Sequence, residues 1–175
     1  MHQDAEPLHL SQDTTYDPAI RIVEYDPSWQ EMFEREAAAI RGALGPVAVR
    51  VDHVGSTSVP GLSAKPIIDI DVSVSDIAMV DSYRGPLEGI GYLFVPDPDF
   101  PDFHFFGKTA ARPRTYHVHV CETGSLHEGR QLAVRDYLRT HPEEATAYGA
   151  VKQAIAERHA GDRLGYIAGK DFYVK

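Results

Sequence analysis

Two aspartates one residue apart, Asp69 and Asp71, lie inside the apolar run Ile67-Ile68-Asp69-Ile70-Asp71-Val72-Ser73-Val74. β-Branched residues at this density favour a strand. Side chains alternate across a strand, so Asp69, Asp71 and Ser73 share one face while Ile68, Ile70, Val72 and Val74 share the other, which is core. Two carboxylates on one side repel each other and resist desolvation, and a cation between them relieves both costs. A hard divalent metal is the natural candidate. Upstream, Val54-Gly55-Ser56 ends a second apolar stretch. Gly55 lets the backbone turn tightly and present N–H groups to an anion. Together the two segments read as a metal site beside a phosphate cradle; separately, the aspartates line a solvated sheet face and Gly55-Ser56 is only a turn.

Other side chains can complete such a site. His117 and His119 in His117-Val118-His119-Val120 repeat the geometry of the aspartates, alternate positions on one strand face, and so are candidate ligands alongside Asp69 and Asp71. The same pair equally fits a polar sheet face without metal. The Ser56 hydroxyl is a candidate phosphate contact, and Ser58 is a second. Neither has a recognisable activating base at a spacing that makes a serine nucleophile. Lys65, Arg135, Arg139, Lys152 and Lys170 are candidate cations for a polyphosphate. Arg135 and Arg139 are helix neighbours whose like charges invite an anion or a carboxylate such as Asp136 or Glu128. Lys152 borders an apolar stripe, where a lysine also simply extends its stem to water. His53 and His104 fit hydrogen-bonded structural roles.

The small pair after a hydrophobic residue, twelve residues before Asp-hydrophobic-Asp-hydrophobic, resembles the signature of the DNA polymerase beta-like nucleotidyltransferase superfamily. Within it, the run from His53 to Leu62, HVGSTSVPGL, with Lys65-Pro66-Ile67-Ile68-Asp69-Ile70, resembles the GrpB family. Similar family-like runs are Tyr25-Asp26-Pro27-Ser28-Trp29, His117-Val118-His119-Val120 and Arg135-Asp136-Tyr137-Leu138-Arg139. The resemblance spans roughly residues 20 to 175. It implies a nucleotidyltransferase-like mixed β-sheet with packed helices. It also implies transfer of a nucleoside monophosphate from a nucleoside triphosphate to an unidentified acceptor, with Asp69 and Asp71 catalytic and holding Mg2+ or Mn2+. Gly55, Ser56, Ser58, Lys65, Arg135, Lys152 and Lys170 would then grip the substrate. Most members of the superfamily carry a third carboxylate on a later strand. Here histidine stands in that place, and imidazole ligation would bring Zn2+ into range. Two alternatives stand beside transfer: a non-catalytic nucleotide- or coenzyme A-binding accessory module of the same fold, since similar domains occur fused to dephospho-coenzyme A kinase, and a metal-dependent phosphohydrolase.

The elements that must position these groups follow from patterning. Residues 1–18 are polar, without sustained period, and read as a flexible tail; residues 19–175 read as one domain. Asp26 and Pro27 start a helix whose stripe of Trp29, Met32, Phe33, Ala37, Ile40 and Leu44 ends at Gly45. Val47, Val49 and Val51 alternate as a strand leading to Gly55. A helix over 76–90, broken or restarted at Pro86, precedes strands at 92–95, 104–107 and 115–122. Helices over 126–140 and from His141 to about His159 follow, with a last one from Gly161 through Phe172. The class is α+β with a helical C-terminal third. With 43% hydrophobic and 25% charged residues the composition is that of a globular chain, and its net charge of −9 argues against broad nucleic-acid binding. A single cysteine, Cys121, excludes an internal disulfide, and no apolar run reaches membrane-spanning length. A soluble cytoplasmic protein is expected, with its oligomeric state open.

Overall fold

A computed structural model of the chain describes residues 21–96, 101–108 and 115–160, together with Asp162, Gly165, Tyr166 and Gly169. The expected tail, Lys170 and most of the last expected helix lie outside these residues. Helix α1 (Ser28–Leu44) starts one residue after the Pro27 that the sequence marks as its first position: Pro27 is the N-cap, and the Asp26 carboxylate just before it accepts from the Ser28 N–H at 2.9 Å. The following strand is shorter than its valine pattern suggests. Gly45 (φ 52°) and Pro46 turn the chain through a short 3-10 segment, Gly45–Val47, so β1 begins only at Arg50 and runs to Val54. Helix α2 (Asp81–Gly89) likewise begins five residues after Asp76 and passes through Pro86 without a break. Near its start, the Asp76 carboxylate accepts from the Ala78 N–H and holds a turn instead.

Five strands form one mixed sheet in the order β1-β2-β5-β4-β3, where β2 is Ile68–Val74, β3 Tyr92–Val95, β4 Phe103–Lys108 and β5 Tyr116–Glu122. The central pair, β2 and β5, is parallel, and every other pairing is antiparallel. Helices α3 (Leu126–Thr140) and α4 (Pro142–Arg158) complete the α+β architecture. The alternation of β2 decides how the layers form. Ile68, Ile70, Val72 and Val74 are buried with Val118 and Val120 of β5 against Trp29, Phe33, Ala37, Ile40 and Leu44 of α1 and Tyr83 and Leu87 of α2. Burial of each Val, Leu, Ile or Phe side chain among these contributes about 1.5–3 kcal/mol. The opposite face of the same strands is therefore free to carry the polar groups. Among the described residues, no helix is long and apolar enough to cross a membrane.

His53 belongs to the apolar side, as the safer reading of its sequence context expects. Its ring stacks on Phe33 at 4.8 Å between centroids, and the residue is 3% exposed. Thr57 Oγ1 donates to Ile67 O at 3.0 Å, so at the 3.0 Å contact with His53 Nε2 it accepts, and the ring carries its proton on Nε2. Burial pushes the pKa down to about 4, Asp69 opposing and Arg139 and Arg135 reinforcing. The unfolded chain takes up this proton near 6.5, the folded protein only near 4. Stability is complete above the unfolded value and falls as pH drops through this window. Between pH 7.5 and 4.5 the wild type is expected to lose about 2–3 kcal/mol more than His53→Gln, which keeps a donor but cannot titrate. Urea unfolding midpoints across that range measure it. Parallel losses in the two proteins would mean that His53 ionises as readily in the fold as outside it.

Candidate functional site

Strand register assembles the polar face. Asp69 pairs with His117 and Asp71 with His119 across the parallel β2–β5 ladder, while Asp52 of β1 lies opposite Asp71. The four ligand candidates named from sequence therefore share one surface. His117 Nδ1 is 3.2 Å from Asp69 Oδ1, and His119 Nδ1 is 3.3 Å from Asp71 Oδ1. The two aspartates differ in setting, since the Asp69 side chain is 31% exposed and that of Asp71 only 1%. Burial works to raise the Asp71 pKa, but the rings of His119 and His127 beside it prevail and hold its carboxyl below the ordinary value.

His127 is the residue that strand logic could not reach. It sits in the first turn of α3, just after the N-cap Ser125. Its Nε2 lies 3.4 Å from Asp71 Oδ2 and 3.5 Å from Oδ1. Helix α3 is held there by Glu128, which accepts from the Ser73 hydroxyl and, at 2.6 Å, from the Gly124 N–H. The sequence signal was a Ser-x-His-Glu start: the N-cap serine sets the first turn, and Glu128 is the residue whose N–H bonds it. Nothing in helical periodicity says that this turn docks on the aspartate strand.

The turn after β1 abuts the same surface. Gly55 has φ 69° and ψ −173°, a conformation open essentially to glycine. A Cβ there would lie 2.8 Å from Asp69 Oδ2 and 3.2 Å from Asp69 Cβ. The turn continues as a single 3-10 segment, Ser56–Ser58, and the first N–H groups of any helical turn have no partner within it. Gly55→Ala is expected to cost about 1–3 kcal/mol in backbone strain, and to displace the Asp69 carboxylate besides. Chemical denaturation checks this, and a change under about 0.5 kcal/mol, the range of neutral surface substitutions, would show that the turn tolerates a side chain.

The remaining candidates serve the frame around this turn. The Ser58 hydroxyl points inward and donates to Gly55 O at 2.5 Å. Arg135 donates to His53 O at 3.2 Å and pairs with Asp52 and Asp136, and Arg139 donates to Ser58 O at 2.9 Å, so α3 grips the turn at both ends. Lys152 is buried and donates to Ser63 O at 2.6 Å. Lys65 lies over the Tyr166 ring at 4.4 Å. Ser56 stays at the half-buried lip of the turn. The structure thus gathers Gly55, Ser56, Asp69, Asp71, His117 and His119, adds His127, and sets Ser58, Lys65, Arg135 and Lys152 on contacts within the protein.

As a donor set, Asp71, His119 and His127 offer ligand atoms all within 4.8 Å of one another. Asp71 Oδ2 is buried and accepts no hydrogen bond among the described residues. A buried carboxylate oxygen in that position is costly without a cation, so these residues fit a divalent metal.

Known proteins place the chain. A UPF0157 protein of Pseudomonas aeruginosa is 41% identical over 89% of this chain and 64% of its own length. A dephospho-CoA kinase of Mycolicibacterium paratuberculosis is 31% identical over 87% of this chain, which spans 43% of that protein. The crystal structure of conserved protein GrpB from Enterococcus faecalis superposes with a TM-score of 0.79 at 39% identity, covering 88% of this chain and 92% of that one. The chain covers less than two thirds of the length of several of its relatives. With the GrpB protein family matching residues 19–175, the chain belongs to the GrpB family.

Proposed function

We propose that this GrpB-family chain is a metal-dependent nucleotidyltransferase, moving a nucleoside monophosphate from a nucleoside triphosphate to an acceptor hydroxyl. One observation carries the reading: the glycine turn is pressed against Asp69, so close that a Cβ at Gly55 would meet its carboxylate at 2.8 Å, with Asp71 two residues along on the same face. An anion-binding turn and two carboxylates are thereby contiguous.

Asp71, with the histidines beside it, would hold the metal, and Asp69 borders the site at the glycine turn. When bound, a divalent ion there supplies charge neutralisation at the transferring phosphoryl group and the departing pyrophosphate. The chain supplies the rest. Gly55 allows the backbone to approach phosphate oxygens without side-chain obstruction, and Ser56 adds a hydroxyl donor at the rim. Arg135 and Arg139 keep the turn rigid from α3, which preserves the alignment that in-line displacement requires. Asp69, the more exposed carboxylate, is the one placed to accept a hydrogen bond from the acceptor hydroxyl.

The test is to incubate the protein with each α-labelled nucleoside triphosphate, with Mg2+, Mn2+ or Zn2+, and with a bacterial extract as the source of acceptors. Label transferred to an acceptor with release of pyrophosphate, and lost in Asp69→Asn, supports the reading. Absence of both transfer and triphosphate binding sinks it, and release of inorganic phosphate without an acceptor marks a phosphohydrolase instead. A second reading draws on the relative named as a dephospho-CoA kinase, in which similar sequence forms part of a longer chain. The domain would then be an accessory module that binds nucleotide or coenzyme A without turnover. Tight binding that yields no product and is indifferent to Asp69→Asn would favour it.

A further inference from the structure

We propose that Asp71, His119 and His127 form a three-ligand site for a zinc-type divalent ion, with His127 delivering the third ligand from the first turn of α3. The inference rests on the reading of this face as a metal-dependent site, and goes further in naming the ligand set and the class of ion.

Three elements converge here: β2 and, far along the chain from it, β5 with the start of α3 that follows it. The spacing of their donor atoms is informative. Four ligands at about 2.0–2.1 Å from a tetrahedral zinc lie about 3.3–3.4 Å from one another. His119 Nδ1 and His127 Nε2 lie 3.3 Å and 3.5 Å from the same oxygen, Asp71 Oδ1, and one donor atom from each of the three residues falls within 4.8 Å of the others. The Asp71 side chain is 1% exposed, with an oxygen that accepts no hydrogen bond among the described residues. A carboxylate built only to brace the fold would be expected to have its lone pairs satisfied.

The rings are also held in place, as ligating imidazoles need to be. Phe103 of β4 packs on His127 at 4.5 Å between centroids and meets His119 edge-on at 5.2 Å, and Phe105 lies 5.6 Å from His119. Two imidazoles and one carboxylate suit zinc, manganese, iron, cobalt or nickel, whereas Mg2+ prefers oxygen ligands and retains its waters. Three protein ligands leave a coordination position for water or a substrate oxygen. Since His127 belongs to α3, metal binding would tie that helix to the sheet and raise stability by mass action.

The test uses the full chain stripped with a chelator. Calorimetric titration is expected to show one Zn2+ per chain, with Mg2+ at least about a hundredfold weaker. His127→Ala, His127→Gln and His119→Ala should each weaken Zn2+ at least about tenfold to a hundredfold, with circular dichroism unchanged, while His141→Ala on the α3–α4 connection leaves it alone. Cobalt(II) should give visible absorption bands in the wild type that change in His127→Gln. Failure of Zn2+ to bind, a preference for Mg2+, or full Zn2+ affinity in folded His127→Ala and His127→Gln would each overturn the proposal. Nucleotidyl transfer supported by Mg2+ in a protein that ignores Zn2+ would overturn it and leave the transfer reading standing. Zn2+ binding at these ligands without any transfer would do the reverse.

Discussion

Asp71→Asn is expected to strip the site of its metal while the fold survives, and Asp69→Asn to stop the reaction while the metal stays. The two aspartates are separated by one residue, yet their surroundings assign them different work. Asp71 is shut off from solvent with an imidazole on either side, and its carboxyl stays below its ordinary pKa despite burial, which keeps it ionised for a cation. The amide of asparagine has the same shape but no charge, so repacking is minimal. Zn2+ affinity should fall at least about a hundredfold. Transfer should fall about a thousandfold, equal to about 4 kcal/mol of transition-state stabilisation. Asp69 lies at the turn, partly exposed, with His117 at 3.2 Å. Its asparagine variant should keep Zn2+ within about tenfold, the effect of a group outside the ligand set, and lose turnover to a similar degree as Asp71→Asn. Calorimetry and a single-turnover transfer assay separate the two effects. Equal loss of metal in both variants would place Asp69 among the ligands and move the centre of the site toward the turn.

How much of this was legible in the sequence depended on the range of the interactions involved. Alternation predicted which residues share a face in Ile68–Val74 and in Tyr116–Glu122, and in the first of them which face is core, because a strand's period is a local property. Asp26 and Pro27 marked the start of α1 for the same reason. The juxtaposition of Asp69 with His117 and of Asp71 with His119 was a conditional expectation. It required β5 to lie beside β2 in a particular register, and the parallel pairing supplies both. His127 carried no such signal, since its place depends on how α3 docks, which Glu128 and Ser73 decide across a separation of 55 residues. The cations were legible only as charges. Arg135 and Arg139 were expected to seek an anion or a carboxylate, and Arg135 does meet Asp52 and Asp136. Both arginines also donate to backbone carbonyls of the glycine turn, an acceptor that side-chain patterning does not display. The strand expected from Val47 begins instead at Arg50, because Gly45 and Pro46 impose a helical turn that outweighs β propensity over three residues.

Lys152→Ala is expected to be the most destabilising single change in the helical third, at about 3–5 kcal/mol, with Lys152→Met costing about 2 kcal/mol. The lysine lies on α4 at 2% exposure, its ammonium donating to Ser63 O at 2.6 Å and standing 4.8 Å from the centre of the Tyr148 ring. Around it, Val59 and Leu62 from the segment after the glycine turn pack on Ala145 and Tyr148 of α4. The approach is close: a Cβ at Gly149 would come within 3.3 Å of Leu62 Cδ1. Methionine preserves the unbranched stem, so the smaller figure isolates the loss of a charged donor to a buried carbonyl. Alanine adds the cavity left by the stem. Relief from holding a buried ammonium opposes both costs, but this ammonium has a carbonyl and a ring face to offset its desolvation. Urea denaturation without nucleotide gives the two stabilities, and triphosphate binding measured well below the unfolding transition gives the ligand effect. A clamp between α4 and the loop below the glycine turn predicts lost stability with affinity changed less than about threefold, under 1 kcal/mol. Unchanged stability with affinity reduced about tenfold or more, 1.4 kcal/mol per decade, would instead put the Lys152 ammonium on the phosphates.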